Sequence, residues 1–171
     1  MKKLFTARAL CRAGIIGALY VTFTLVFGSI AYQGVLQIRP AEALCILPLF
    51  FPEAILGLTI GCAIANLGSP FFLYDVICGS SITLISAICT FFAGKWLKGW
   101  TAFFVGGLFP VLFNGFGIPL ILVLATGGVG GAGLVATYFL YVSSILSTEA
   151  VWVYLLGAGL FAWLNKGRPI R

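Results

Sequence analysis

Arg39 and Glu42, three residues apart, form the polar pair of this chain that membrane topology explains least well. Only 8% of the 171 residues are charged and 61% are hydrophobic, so every charge needs a physical reason. Nine of the ten basic residues lie in clusters that bound apolar runs, and Arg39 is the exception. In a membrane protein, an ionisable residue that topology does not require is a candidate for ligand binding.

A purely structural role for this pair is also open. Pro40 suits the first position of a helix, which leaves Arg39 just before the helix and Glu42 in its first turn. A carboxylate in the first turn interacts favourably with the helix dipole. A salt bridge between these two residues at a solvated helix end would contribute little stability.

Polar residues inside the later apolar runs are further binding candidates. Asn114 lies within an apolar stretch, and a buried amide there needs hydrogen-bonding partners that a ligand can supply. Glu149 separates two long apolar runs, so it is either an interfacial charge at a helix end or a ligand carboxylate. Asn66 is a weaker candidate. Aromatic residues near the C-terminus are consistent with an interfacial belt or with a stacking platform for a ligand. These residues are Tyr138, Tyr141, Trp152 and Tyr154.

The elements that must position these residues are membrane-spanning helices. A helix needs about 20 mainly apolar residues to cross the hydrocarbon core. The chain has charge-free runs at 13–38, 54–74, 76–94, 99–148 and 150–165. Open sheet is excluded in lipid because its edge groups would stay unpaired, and no alternating pattern favours a barrel. We therefore predict a single all-α membrane domain.

The basic clusters predict the topology. They lie at Lys2–Arg12, at Lys95 and Lys98, and at Lys166–Arg171, and all three are predicted to be cytosolic. An even number of spans then separates successive clusters, which gives a six-transmembrane-helix bundle with both termini in the cytosol. The predicted spans are roughly 10–30, 41–52, 53–67, 75–94, 101–123 and 147–165. A glycine-rich outer loop at 126–133 and a surface or re-entrant helix precede the last span.

This topology places four polar candidates toward the outer side: Arg39, Glu42, Asp75 and Glu149. Only Glu53 is predicted on the cytosolic side. Three acids and an arginine at one end of a small bundle favour a polar pocket over a charged surface.

Several function classes are disfavoured. The chain has no histidine, and its five cysteines form no CxxC pair, so metal sites, disulfide frameworks and histidine-dependent catalysis are not expected, and no cofactor is predicted. Residues 128–133 match GxGxxG, but without a preceding strand the motif indicates a flexible loop. The basic residues lie at span ends rather than along a groove, so nucleic-acid binding is not expected.

Small residues four apart mark one face of the first span. Ala9, Ala13 and Gly17 allow another helix to approach closely. The pattern favours packing inside the bundle, and a docking face for a second membrane protein is the alternative.

The sequence resembles the QueT family over four segments. They are QIRPAEAL at 37–44, LPLFFP at 47–52, IGCAIANL at 60–67 and DVICGS at 75–80. QueT proteins are membrane-embedded, substrate-binding S components of energy-coupling factor (ECF) transporters. The glycine-rich third loop and Thr148, where the family pattern leads us to expect glycine, depart from that resemblance.

The resemblance implies capture of a queuosine precursor, such as 7-aminomethyl- or 7-cyano-7-deazaguanine or queuine, in the plasma membrane of a prokaryote. The expected partners are a transmembrane coupling subunit and two ATP-binding cassette ATPases, since this chain has no Walker A sequence. The resemblance also favours the interpretation that Ala9, Ala13 and Gly17 dock the coupling subunit.

The resemblance also suggests roles for individual residues. Glu149 or Glu42 would accept the adjacent N–H donors of the base, and Asn114 would read the neighbouring carbonyl and N–H. Trp152 or Tyr154 would stack on the base, and Asp75 would meet an aminomethyl ammonium. We expect Arg39 and Glu42 to organise the roof of the site and Glu149 and Asn114 to touch the base.

Three alternatives stay open at this point. The chain is an S component for another vitamin-like molecule, an intramembrane enzyme that uses Glu42 and Glu149, or a structural bundle without a ligand. The missing histidines argue against the enzyme. A bundle without a ligand predicts that no small molecule raises the melting temperature.

Overall fold

The computed structural model of the protein describes residues 6–32, 37–126 and 133–167, and all regular structure within these ranges is helical. Lys2, Lys3, Gln33, Arg168, Arg171 and most of the glycine-rich loop lie outside the described residues. The helices are α1 (Ala7–Val26), a 3₁₀ helix at Pro40–Leu49 that we call the inner helix, α2 (Ala54–Gly68), α3 (Phe72–Trp96), α4 (Gly99–Thr126) and α5 (Leu134–Gly167).

Four of these helices are long and apolar enough to cross a membrane. α1, α3, α4 and α5 have 20, 25, 28 and 34 residues, against the requirement of about 20. The inner helix and α2 are apolar but shorter. The predicted all-α membrane bundle is therefore confirmed at the level of class, whereas six complete spans and cytosolic termini stay predictions.

The inner helix lies in the centre of the bundle. It begins at Pro40, directly after Arg39, as the sequence predicts, and every residue from Ala41 to Leu49 is buried. It contacts α1, α2, α3, α4 and α5. A helix that is apolar on all sides is stable only when it is enclosed by others. Its single carboxylate, Glu42, is therefore carried into the interior.

The inner helix packs into two different core clusters. Leu44 and Cys45 lie among buried residues of α1 and α2, and Ile46 and Leu49 lie among buried residues of α4 and α5. Beyond its end, the ring of Phe50 lies 5.4 Å from that of Phe161 in α5. The helix thus connects both halves of the bundle.

Glu53 lies at the opposite end of the inner helix from Glu42. Its carboxylate pairs with Arg12 of α1 at 2.9 Å, and the Arg12 guanidinium lies 5.2 Å from the centre of the Phe51 ring. Glu53 is buried while Arg12 is partly exposed. The expected separation of Glu53 from the other acids is present, and the side of the membrane on which each end lies stays a prediction.

Helices α1 and α2 approach each other through small residues. A Cβ atom added at Gly57 would lie 2.5 Å from the carbonyl oxygen of Ala13, and one at Gly61 would lie 2.9 Å from that of Gly17. Ala9 is also buried. These residues therefore serve the packing inside the bundle that their spacing favours, and the docking role stays a prediction.

Helix α5 differs from the predicted last span. That span was predicted to begin near residue 147, after a separate surface or re-entrant helix, whereas α5 runs without interruption from Leu134. No glycine or proline occurs between 134 and 156 to end a helix. Its polar residues are accommodated locally, since the Ser147 and Thr148 hydroxyls donate to backbone carbonyls one turn earlier. Glu149 consequently lies near the middle of a helix, not at an end.

Replacing Gly57 with alanine should weaken the contact between α1 and α2. The added Cβ would meet the backbone of Ala13, which cannot rotate away. We expect a loss of about 1–3 kcal/mol in the free energy of unfolding and a melting temperature lower by roughly 5 °C in detergent. Gly14→Ala on the same helix pair is the matched control, because its Cβ would meet nothing within 4 Å. Equal melting temperatures for the two variants would contradict the close approach.

Candidate ligand-binding site

Polar side chains from five helical segments meet in the interior, and we call them the polar cluster. Glu42 and Glu149 are only 1% and 5% exposed, so neither carboxylate is an interfacial charge. The polar cluster consists of Tyr20 of α1, Arg39 and Glu42 at the start of the inner helix, Asn66 of α2, Asn114 of α4 and Glu149 of α5. The convergence expected from the charge pattern is therefore present for these residues.

Glu42 accepts three hydrogen bonds from other side chains. The Tyr20 hydroxyl donates to its Oε1 at 2.5 Å. The Cys45 thiol and the Asn114 amide donate to its Oε2 at 3.1 and 3.3 Å. Hydrogen bonds to an ionised group are among the stronger ones in proteins. Glu42 is thus fixed by α1, α4 and its own helix.

Asn114 connects the two glutamates. Its amide nitrogen also donates to Glu149 Oε1 at 3.2 Å, so α4 and α5 are linked through it. The second oxygen of Glu149, Oε2, is buried and has no hydrogen-bond partner among the described residues. A buried acceptor without a partner is costly and rare, so this oxygen is the natural contact for a ligand donor.

Arg39 bonds mainly to Asn66. Its Nη2 donates to Asn66 Oδ1 at 3.1 Å, whereas its Nε lies 3.8 Å from Glu42 Oε1, which is an electrostatic contact and not a hydrogen bond. The Nε atom is buried and has no hydrogen-bond partner among the described residues. The two side chains form the ion pair that their spacing allows, but Arg39 is only 9% exposed, so the pair does not lie at a solvated helix end.

Asn66 carries the hydrogen-bond chain to α3. Its amide nitrogen donates to the backbone carbonyl of Asp75 at 2.8 Å. A Cβ at Gly79 would lie 3.0 Å from that nitrogen, so the glycine permits the close approach. A π-helical turn begins at Asp75, and a second one, Val151–Leu156, follows Glu149 closely. Such turns often occur at functional sites in helices.

The polar cluster contains more acidic than basic side chains. One guanidinium, Arg39, faces two carboxylates, Glu42 and Glu149, in an apolar surround. Buried charges are stable only when they are paired or hydrogen-bonded. The arrangement therefore suits a ligand that is rich in N–H donors or positively charged.

The remaining predicted residues lie at the edge of the polar cluster or outside it. The Asp75 carboxylate is partly exposed and accepts a hydrogen bond from Ser69, so it borders the polar cluster without bonding to Arg39. Trp152 is partly buried, and its indole N–H makes no hydrogen bond within the described part of the chain. Tyr154 donates to the Phe104 carbonyl at 2.8 Å and packs on Phe103, so it is not a platform for the polar cluster.

Sequence reasoning missed Tyr20 and Cys45. Tyr20 is a phenol in the middle of an apolar helix, on the face that carries Ala13 and Gly17, and that isolation was a usable signal. Cys45 was treated as a small hydrophobic residue, although it lies one turn after Glu42. Cys62 is a second cysteine that forms a hydrogen bond instead of acting only as an apolar side chain, since its sulfur accepts from the Thr83 hydroxyl at 3.3 Å.

Comparison with known proteins gave one result. A family model described as QueT transporter matches residues 10–166, which is nearly the whole chain. No curated protein and no solved structure gives a significant match. The match includes every member of the polar cluster, from Tyr20 to Glu149. The chain therefore belongs to the QueT transporter family.

Proposed function

We propose that this membrane transporter protein is the substrate-capturing S component of an ECF transporter in a prokaryotic plasma membrane, and that its cargo is a queuosine precursor of the 7-deazaguanine type. The observation that carries the proposal is the unpaired, buried Oε2 of Glu149 within the polar cluster. A transporter needs a site that is unsatisfied until its cargo arrives. The chain itself is not proposed to catalyse a reaction.

The chemistry of a 7-deazaguanine matches the groups that lack partners. Its ring N–H and exocyclic amino group are adjacent donors, and a carboxylate accepts both. Glu149 is the acceptor we assign, because both oxygens of Glu42 already accept hydrogen bonds from the protein. The carbonyl of the base would accept from Arg39 Nε, the unpaired donor of the polar cluster. The hydrogen bond from Asn114 to Glu149 Oε1 would hold the carboxyl group in position for this contact.

The surplus of carboxyl groups over guanidinium groups in the polar cluster favours a positively charged queuosine precursor. An aminomethyl group is an ammonium at neutral pH, whereas a cyano group is neutral. The ammonium would offset the excess carboxylate charge that Arg39 leaves unbalanced, with Asp75 at the edge as a further contact.

Glu149→Gln should weaken binding of 7-aminomethyl-7-deazaguanine about 10–100-fold, because the amide offers one acceptor and no charge. Isothermal titration calorimetry on the purified protein measures this. Glu53→Gln is the matched control, since it makes the same chemical change in a buried carboxylate at the far end of the inner helix. Its affinity should equal that of the wild type. Unchanged affinity in Glu149→Gln, with the wild type binding, would refute the assignment of Glu149.

A ligand series tests the charge argument. The 7-aminomethyl base should bind at least about tenfold more tightly than the 7-cyano base or guanine, since only the first adds a positive charge to the polar cluster. A thermal-shift panel that also contains vitamins checks this, because a specific ligand raises the melting temperature by mass action. Tighter binding of the cyano base would contradict the charge argument. If only a vitamin raised the melting temperature, the cargo would be that vitamin and not a queuosine precursor.

The exposed side of α1 is where we propose that the coupling subunit docks. Apolar residues of α1 and α2 border a groove of about 580 Å³ there. Gly14 and Ala18 are exposed along it, while Ala13 and Gly17 lie deeper, against α2. A smooth face of small residues permits close helix contact in lipid, where packing and not hydrophobicity drives association.

Ala18→Leu should therefore abolish co-purification of the coupling subunit and the ATPases when all subunits are expressed together. Calorimetry on the isolated variant should show unchanged ligand affinity. Ala18 is exposed at the groove, whereas Tyr20, the member of the polar cluster on the same helix, is fully buried. Gly159→Leu, at an open position of α5, is the control and should assemble normally. Full assembly of the Ala18 variant would place the docking face elsewhere.

A further inference from the structure

Three tryptophans stand exposed at the end of the bundle that is opposite the polar cluster. Trp96 and Trp163 are 76% and 72% exposed, and Trp100 is half exposed. Tryptophan prefers the level of lipid headgroups, because its ring is apolar and its N–H is polar. These residues lie at the end of α3, the start of α4 and the end of α5.

A ring contact joins the ends of α4 and α5, and the segment after α3 packs against the same core. The Trp100 ring lies 5.0 Å from Phe161 of α5, and Trp96 stacks on Phe92 at 5.3 Å. Leu97 and Leu164 pack against the same core cluster. The end of α5 also borders a surface recess of about 440 Å³, lined by Trp163, Leu164, Lys166 and Gly167.

Lysines accompany the tryptophans, and we call the whole set the basic aromatic patch. Its members are Lys95, Trp96, Lys98, Trp100, Trp163 and Lys166. All three lysines are exposed, and none is paired with a carboxylate of the described residues. The one acid at this end of the inner helix, Glu53, is already paired with Arg12. Lys95 and Lys166 lie in the last turns of α3 and α5, where the negative end of the helix dipole favours a cation.

We propose that the basic aromatic patch is a binding site for an anionic phospholipid. The lysine ammonium groups would bind the headgroup phosphate, the tryptophan N–H groups would lie at the glycerol level, and the recess beside Trp163 would hold the start of an acyl chain. Charge complementarity favours this occupant, since three exposed lysines that pair with no carboxylate of the described residues attract anionic headgroups cumulatively. The apolar recess beside Lys166 favours a lipid over an acidic protein surface, because a lipid has an acyl chain that can enter the recess.

Native mass spectrometry of the purified full-length protein tests the proposal. The probe is an equimolar mixture of phosphatidylglycerol and phosphatidylcholine with identical acyl chains. The wild type should retain phosphatidylglycerol several-fold more than phosphatidylcholine. The variant K95Q/K98Q/K166Q should lose that preference by roughly tenfold, and K166Q alone should lose part of it. The control K2Q/K3Q/R8Q removes the same charge from the N-terminal segment and should keep the preference.

Each other outcome overturns the proposal. Equal retention of the two lipids by the wild type means that the patch does not select anionic headgroups. An equal loss of preference in the control and the patch variants means that net charge, and not this surface, attracts the lipid. If lipid preference is unchanged while K95Q/K98Q/K166Q fails to co-purify with partner subunits, the patch is a protein interface. Melting temperatures of all variants, which change only exposed lysines or the N-terminal segment, report on folding.

Discussion

The constraint on which this structure depends is the burial of two carboxylates and one guanidinium inside an apolar bundle. Charges in such an interior persist only where hydrogen bonds and opposite charges surround them. Glu42 meets that condition through Tyr20, Cys45 and Asn114, and these contacts tie the inner helix to α1 and α4. Glu149 meets it incompletely, because one of its oxygens has no partner among the described residues. This unpaired oxygen of Glu149 is the reason to consider the bundle a candidate ligand carrier.

The sequence predicted much of the candidate site, for a physical reason. In a chain with few charges, polar residues inside apolar runs must find one another, so Arg39, Glu42, Asn66, Asn114 and Glu149 were recognisable before their contacts were known. Cys45 was not, since a thiol is compatible with an ordinary apolar core, and Tyr20 offered only the weaker signal of an isolated phenol in an apolar helix.

The fold was predicted less evenly. The helical class follows from hydropathy, but the predicted beginning of the last span near residue 147 is wrong, since α5 passes through that position without a break. The segment of the inner helix is predicted from the sequence as a span at about 41–52. Its 3₁₀ geometry and complete burial depend on the surrounding helices, which hydropathy along one chain does not describe. The two ends of the bundle thus differ in chemistry: hydrogen-bonded polar groups lie at one, and aromatic rings with unpaired lysines lie at the other.

An experimental structure of the protein with bound 7-aminomethyl-7-deazaguanine would test the central claim most directly. The account predicts that the base lies in the polar cluster, with its ring N–H or amino group about 3 Å from Glu149 Oε2. It also predicts that the Tyr20 and Cys45 hydrogen bonds to Glu42 persist. A base bound in the groove between α1 and α2, or bound with Glu149 Oε2 still unpaired, would contradict it.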